Sequence, residues 1–313
     1  MQKNIYNSVA LSTSWNVETQ PGARQMLAEI KANGFDRIEL SHHLSSERLE
    51  ELIVSLDIFD IKVVSVHNFC PLPSKPRLDR STSDYYRLSS LKEDECRNAV
   101  EYTKRTIDTA KRLSAEVVVL HAGTVELEKE YGWEMTGLYA AGKRDSREFR
   151  DLKREFLIER ADKKLPHLEA AEKSLKEILD YAFNTRVKIG LETRCYPEEI
   201  PNFDEIAYFL NLFGDHGLYY WHDTGHGEVS ERLGMASHVE FLKAYSNRMI
   251  GIHIHDVRGI TDHLVPFTGD LDFSKIAPYI PDDVIKVIEV NSQATSSEIK
   301  QVSDKFDLKL LTA

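Results

Sequence analysis

VKIGLETR, residues 187–194, is the stretch on which the fold turns, because its side chains alternate cleanly and it ends on charged groups. Val187, Ile189 and Leu191 fall on one face of an extended strand, leaving Lys188, Gly190 and Glu192 on the other. In a closed barrel those two faces are the helix layer and the interior. Working outward, similar runs precede it at VALSTSW (9–15), DRIELSH (36–42), IKVVSVHN (61–68) and EVVVLHAG (116–123). Others follow at LYYWHDTGH (218–226), MIGIHIHD (249–256) and VIKVIEVN (284–291). Amphipathic stretches near 21–33, 46–57, 91–113, 165–184, 202–212, 235–246, 272–280 and 296–306 separate or follow them. Eight alternating β and α units predict an α/β protein with a closed parallel (β/α)8 barrel, since a doubly wound sheet more often carries about five or six strands.

A barrel accommodates the 313 residues as one domain, 1–313. Two stretches break the regular spacing, and both follow strands, where loops build active sites. Residues 69–90 are rich in Pro and Ser. The longer stretch, a helical insertion expected at about 124–165 after the fourth strand, carries ten acidic and ten basic residues, a balance suited to solvated helix faces. It reads equally as a lid, an oligomer contact or a surface insertion.

Composition narrows the class of function. The chain is 42% hydrophobic and 29% charged, enough apolar content to bury a core. Its net charge of -11 makes a nucleic-acid partner an unfavourable expectation, because phosphate contacts need Lys or Arg. The opening MQKNIYNSVALSTSW has no apolar signal-peptide core and no membrane-spanning run. Cys70, Cys96 and Cys195 are widely spaced and form no CxxC pair, so free thiols and a cytoplasmic location are expected. No GxGxxG or GxxxxGK[ST] follows a strand, which removes support for nucleotide binding.

Parity assigns directions to the polar strand ends. Gly251, His253 and His255 turn inward while Ile250, Ile252 and Ile254 face the helices; Ser65 and His67 turn inward while Val64 and Val66 face outward. His121 groups with Val117 and Val119, Asp223 with Tyr219 and Trp221, and Glu289 with Ile285 and Val287. Of twelve histidines, nine lie at strand ends or just beyond: His42, His43, His67, His121, His222, His226, His253, His255 and His263. Carboxylates and imidazoles converging from different strands suit a divalent ion such as Mn²⁺, Co²⁺, Mg²⁺ or Zn²⁺. The competing reading is a salt-bridge network in which Lys188, Lys286 or Arg194 neutralises Glu192, Asp223 and Glu289.

The fragments GFDRIELSHH, VVVLHAG, IGLETR, DTGHGE, IHIHD, DHLVPFTGDLDF and VIEVN, in this order, resemble the xylose isomerase-like TIM-barrel superfamily. That superfamily includes sugar isomerases, ketose 3-epimerases, inosose dehydratases and endonuclease IV. Similarity to the ketose epimerases implies that Glu192, Asp223, His253 and Glu289 hold one metal. His253 is preferred to His255 because the ligand histidine precedes an acidic residue by three positions, here Asp256. The same resemblance implies that Glu198 and His226 contact substrate hydroxyls. An arginine of the epimerase pattern is missing, position 259 being Gly, and Arg258 and His255 are the neighbouring candidates for substrate contact. Resemblance to endonuclease IV implies a different use, with His67, His121 and Glu192 on a first zinc and Asp223, His253 and Glu289 on a second. His226 with Asp262 or His263 would serve a third, although TDH (261–263) departs from the DxH of that family.

These implications predict an isomerase or epimerase of a small sugar or sugar phosphate, dependent on a divalent metal. Glu192 and Glu289 would remove and return a proton through an enediolate. A dehydratase of an inosose or sugar acid shares the first step, and a zinc phosphodiesterase or a non-catalytic sugar-binding barrel are further alternatives. The expected partner is a small carbohydrate, with no membrane association, and homo-oligomerisation is left open.

Overall fold

Eight short parallel strands close on one another, the first pairing with both the second and the eighth. They are β1 Ala10–Ser12, β2 Arg37–Leu40, β3 Lys62–His67, β4 Val117–Leu120, β5 Lys188–Glu192, β6 Leu218–Asp223, β7 Met249–Ile254 and β8 Ile285–Ile288. The structure is a computed structural model describing residues 9–74 and 81–309. MQKNIYNS and residues 75–80 of the Pro- and Ser-rich stretch lie outside the described residues. Within them, no helix is long and apolar enough to cross a membrane.

The helices are α1 Ala23–Ala32, α2 Ser46–Phe59, α3 Glu93–Arg112, α4 Tyr131–Ala140, α5 Arg147–Phe183, α6 Phe203–Phe213, α7 Thr224–Arg232, α8 His238–Tyr245, α9 Phe273–Ile276 and α10 Ser296–Lys309. Their apolar stripes cover the outer strand faces, so Leu11, Ile38, Val118, Ile189, Leu191 and Ile252 pack against residues such as Met26, Ile107, Ile178 and Phe209. Burial of this continuous layer supplies the main folding force. Two antiparallel ribbons, Gly123–Thr124 with Glu199–Ile200 and Asp256–Arg258 with Thr261–Leu264, rise from the C-terminal strand ends.

Three expectations need correction. The helix expected near 165–184 begins at Arg147 and runs unbroken past Pro166, despite the backbone hydrogen bond a proline forfeits. Its first half therefore belongs to the stretch read as an insertion, and the Arg160 guanidinium locks it to the barrel through a buried bidentate pair with Glu205 at 2.7 and 2.9 Å. The second concerns α7, which starts immediately after β6 with the Asp223 carboxylate capping it. Two glycines in TGHGE mask its helical pattern.

The third concerns parity. Val64 and Ile250 do not join the helix-facing layer but pack against the interior cluster of Ala10, Val117, Val119, Trp221 and Val287. Strand pairing steps from Ile38↔Val63 to Glu39↔Ser65, and from Tyr220↔Met249 to Trp221↔Gly251. Each step absorbs one extra residue as a bulge. Beyond the bulges, Ser65, His67, Gly251 and His253 keep their inward direction.

Trp221 fills the interior below the strand ends and is fully buried. A Cβ at Gly251 would lie 2.0 Å from its Cζ3 atom, whereas one at Gly190 would lie 3.2 Å from Cε3. Only glycine at 251 leaves room for the indole. Gly251→Ala is expected to destabilise the fold by about 1–3 kcal/mol or more through overpacking, and more than Gly190→Ala. Urea denaturation of both variants checks this; an unchanged midpoint for Gly251→Ala would contradict it.

Candidate functional site

β7 carries His253 into the barrel mouth, where both ring nitrogens meet carboxylates. Nδ1 lies 2.9 Å from Glu192 Oε1 and 3.1 Å from Glu289 Oε2, with Asp223 Oδ2 at 3.7 Å. Nε2 lies 3.0 Å from Glu39 Oε1. A neutral imidazole has a single proton, so it cannot donate to carboxylates on both sides. Either the ring is charged or a cation stands between Nδ1 and the three carboxylates that face it.

Glu192, Asp223, His253 and Glu289 offer ligand atoms that all lie within 4.8 Å of one another, and all four residues are buried. Three carboxylates and an imidazole form a donor set that fits a divalent ion. Among the described residues no Lys or Arg forms an ion pair with any of these four. Lys188 is exposed, Lys286 donates to the backbone carbonyl of Asp282, and Arg194 engages Glu199 and Asp84. The salt-bridge reading therefore lacks its cations.

The imidazoles carry the electrostatic balance. Burial pushes the Glu192 carboxyl up, but His253 and His121 outweigh it and hold it well below the usual range. Burial likewise opposes charge on His253, yet Glu289, Glu39 and Glu192 hold its pKa well above the ordinary value.

Glu39 is the member of this constellation that the sequence reading passes over. It lies on β2, fully buried, accepts a 2.7 Å hydrogen bond from Ser65 and faces His253. The signal was present in RIEL, where Ile38 and Leu40 face the helices and parity turns Glu39 inward. Asp84 and Glu199 are also unforeseen. They flank Arg194, which in turn touches His121.

The remaining expected residues divide into two groups. His67, His121, His226 and Glu198 line one large cavity together with Glu192 and Glu289. His67 Nε2 and His121 Nε2 approach Glu192 Oε2 at 3.2 and 2.8 Å. His226 donates from Nδ1 to the Thr193 carbonyl, leaving Nε2 as an acceptor 3.9 Å from Asp262. His255 and Arg258, expected to contact substrate, do not line this cavity. His255 is fully buried behind Asp223: its Nδ1 accepts from the His263 N–H at 2.9 Å, so Nε2 carries the proton and donates to Asp223 at 2.8 Å. Arg258 is exposed on a ribbon and donates to the Thr268 carbonyl. His222 turns to the helix layer, where it meets His238 and Tyr220.

Glu198 accepts a 3.1 Å hydrogen bond from the Gly132 N–H, and burial, helped by Glu199, pushes its carboxyl up to about 7. The folded group thus keeps its proton to higher pH than the unfolded group, so stability contributed by the neutral form is lost as pH rises from about 4.5 through 7. The gap corresponds to a loss on the order of 3 kcal/mol. Glu198→Gln cannot ionise, and its stability advantage over the wild type is expected to grow across this window. Urea unfolding from pH 4.5 to 8 measures it, and parallel curves would refute the assignment.

Solved structures that superimpose on the chain include the apo form of YcjR, a 3-keto-D-glucoside 4-epimerase from E. coli, with a TM-score of 0.66, 14% identity and coverage of 98% of this chain and 99% of that one. An L-ribulose 3-epimerase gives 0.67, 15% identity and coverage of 97% and 94%. The IOLI protein with a bound zinc atom gives 0.65, 16% identity and coverage of 97% and 98%. At such identities these likenesses concern the fold. No curated protein matches the chain by sequence. The family model described as xylose isomerase-like TIM barrel matches residues 27–292. By that match over most of its length, the chain belongs to the xylose isomerase-like TIM-barrel family.

Proposed function

We propose that this protein is a divalent-metal-dependent isomerase or epimerase of a sugar, working through an enediolate. The observation that carries the reading is the pair Glu192 and Glu289, both at the floor of a 970 Å³ cavity and both within 3.1 Å of His253 Nδ1. Two carboxylates reached from one cavity can take a proton from a carbon next to a carbonyl and return one to another face or the adjacent carbon. The sugar epimerases among the structural neighbours, and the zinc in the IOLI protein, agree with it.

Glu192, Asp223, His253 and Glu289 would hold the ion. When bound, it would supply positive charge to the carbonyl and neighbouring hydroxyl oxygens. The protein's own groups do the rest. One of the two glutamates accepts the proton as a carboxylate, the other delivers one after taking it up from solvent, and Glu198 and His226 Nε2 hold substrate hydroxyls. Glu39 fixes the His253 ring from behind, a role that raises ligand basicity and restricts rotation. His255 Nε2 donates to Asp223 and holds that carboxylate in place in its ionised form.

Two outcomes are expected. Glu39→Gln should retain the fold and weaken divalent-ion affinity by about 10–100-fold, read by competition with a chromogenic chelator. Equal affinity would remove Glu39 from the site. Glu289→Gln preserves shape and a carbonyl oxygen but cannot accept a proton near neutral pH. Its deuterium incorporation from D₂O into a ketose substrate should fall about a hundredfold or more while part of the metal is kept. Wild-type exchange with full metal would leave Glu289 only a ligand.

A further inference from the structure

The cavity is larger than one sugar ring requires, lying near the top of the roughly 300–1,000 Å³ range that encloses drug-sized ligands. Its inner part is the carboxylate and imidazole floor. Its outer part is bounded by α4 and the loop after β5, and there two aromatic side chains line it, Trp133 and Tyr196. Both are exposed, Trp133 at 72% and Tyr196 at 38%. A single exposed aromatic needs no explanation. Two that line the same cavity as the reacting groups do.

The local backbone is built to bring them together. Gly132 immediately precedes Trp133, and a Cβ there would lie 2.7 Å from Glu198 Oε2 and 3.0 Å from Tyr196 Cδ1. The loop after β5 therefore packs directly on the first turn of α4, and Glu198 accepts from the Gly132 N–H. Aromatic faces beside hydrogen-bonding carboxylates match the surface of a pyranose or furanose ring, which presents C–H groups on its faces and hydroxyls at its edge.

Charge in the cavity argues against a phosphate in this outer part. Among the described residues nine carboxylates and only three Lys or Arg side chains line the cavity as a whole. Lys129 is paired with Glu155 and Arg194 with Glu199, and Arg87 lies close enough to Asp84 to lower its pKa. A phosphate dianion would meet cations already engaged and a surplus of acidic groups.

We infer that Trp133 and Tyr196 form an outer subsite for a second, uncharged sugar ring, so that the substrate is a glycoside-like saccharide rather than a monosaccharide or a sugar phosphate. This rests on the sugar isomerase or epimerase reading of the inner site. The test uses the Mn²⁺-loaded full chain with D-fructose and D-tagatose as single rings, maltulose and turanose as two-ring ketoses, and D-fructose 6-phosphate as the charged ring. Trp15 and Trp221 are buried, so the solvent-exposed part of the tryptophan emission reports Trp133.

Maltulose or turanose should shift that emission to the blue and bind more tightly than the single rings in calorimetry. Trp133→Ala should weaken two-ring binding about three- to tenfold, leave single-ring binding unchanged, and be rescued by Trp133→Phe. Two-ring ketoses that bind no better than D-fructose, binding indifferent to Trp133→Ala, or preference for D-fructose 6-phosphate would overturn the subsite. So would a Trp133→Ala effect confined to self-association. If D-fructose or D-tagatose exchanges deuterium while the two-ring sugars neither bind nor exchange, the subsite alone fails. If no sugar of any class binds or exchanges, the reading of the inner site fails with it.

Discussion

Four carboxylates, those of Glu39, Glu192, Asp223 and Glu289, are almost wholly removed from water around a single imidazole, that of His253. Burying anions in this way is strongly unfavourable unless positive charge and hydrogen bonds compensate. Much of the barrel mouth is arranged to meet that constraint. Ser65 donates to Glu39, His255 and the His226 N–H donate to Asp223, and His67 and His121 approach Glu192. The demand for positive charge at the centre of this shell is what a divalent ion, as proposed above, would meet.

Keeping the four groups in place requires rigid support from below. Trp221 provides it by filling the barrel interior, with its ring edge-on to His253 at a centroid distance of 5.0 Å. Gly251 makes that arrangement possible because the indole occupies the space of a side chain. The bulges at Val64 and Ile250 place two extra apolar residues in the same interior layer without reversing His67 or His253. Packing and electrostatics are thus coupled, since a shift in this layer would move the imidazole away from its carboxylates.

The upper wall is a separate construction. The Arg160 guanidinium joins the long α5 helix to Glu205 on α6, while α4 packs against the loop that carries Tyr196 and Glu198. Both attachments are specific and buried or close-fitting, and they hold Trp133, at the start of α4, in the wall of the site. The acidic surplus of the whole cavity lining and the rings of Trp133 and Tyr196 set what can lie above the reacting groups.

Sequence by itself determined the eight-unit pattern and the inward direction of Glu192 and His253, because alternation along a strand is a local property that survives in one dimension, whereas Asp223 and Glu289 fall in step with apolar neighbours and only the closed barrel turns them to the same centre. It also held the clue to Glu39 in RIEL, although one glutamate between two apolar residues has no meaning until its partner on β7 is known. Tertiary structure alone decided that His255 and Arg258 stand outside the cavity. His255 shares the inward parity of His253, but the His263 N–H and Asp223 occupy its two nitrogens; Arg258 is drawn onto a ribbon whose pairing the sequence does not announce. The union of residues 147–164 with the helix that follows was also hidden, since Pro166 reads locally as a break. Long-range packing overrides that local preference, as the buried Arg160–Glu205 pair fixes the helix from a partner 45 residues away.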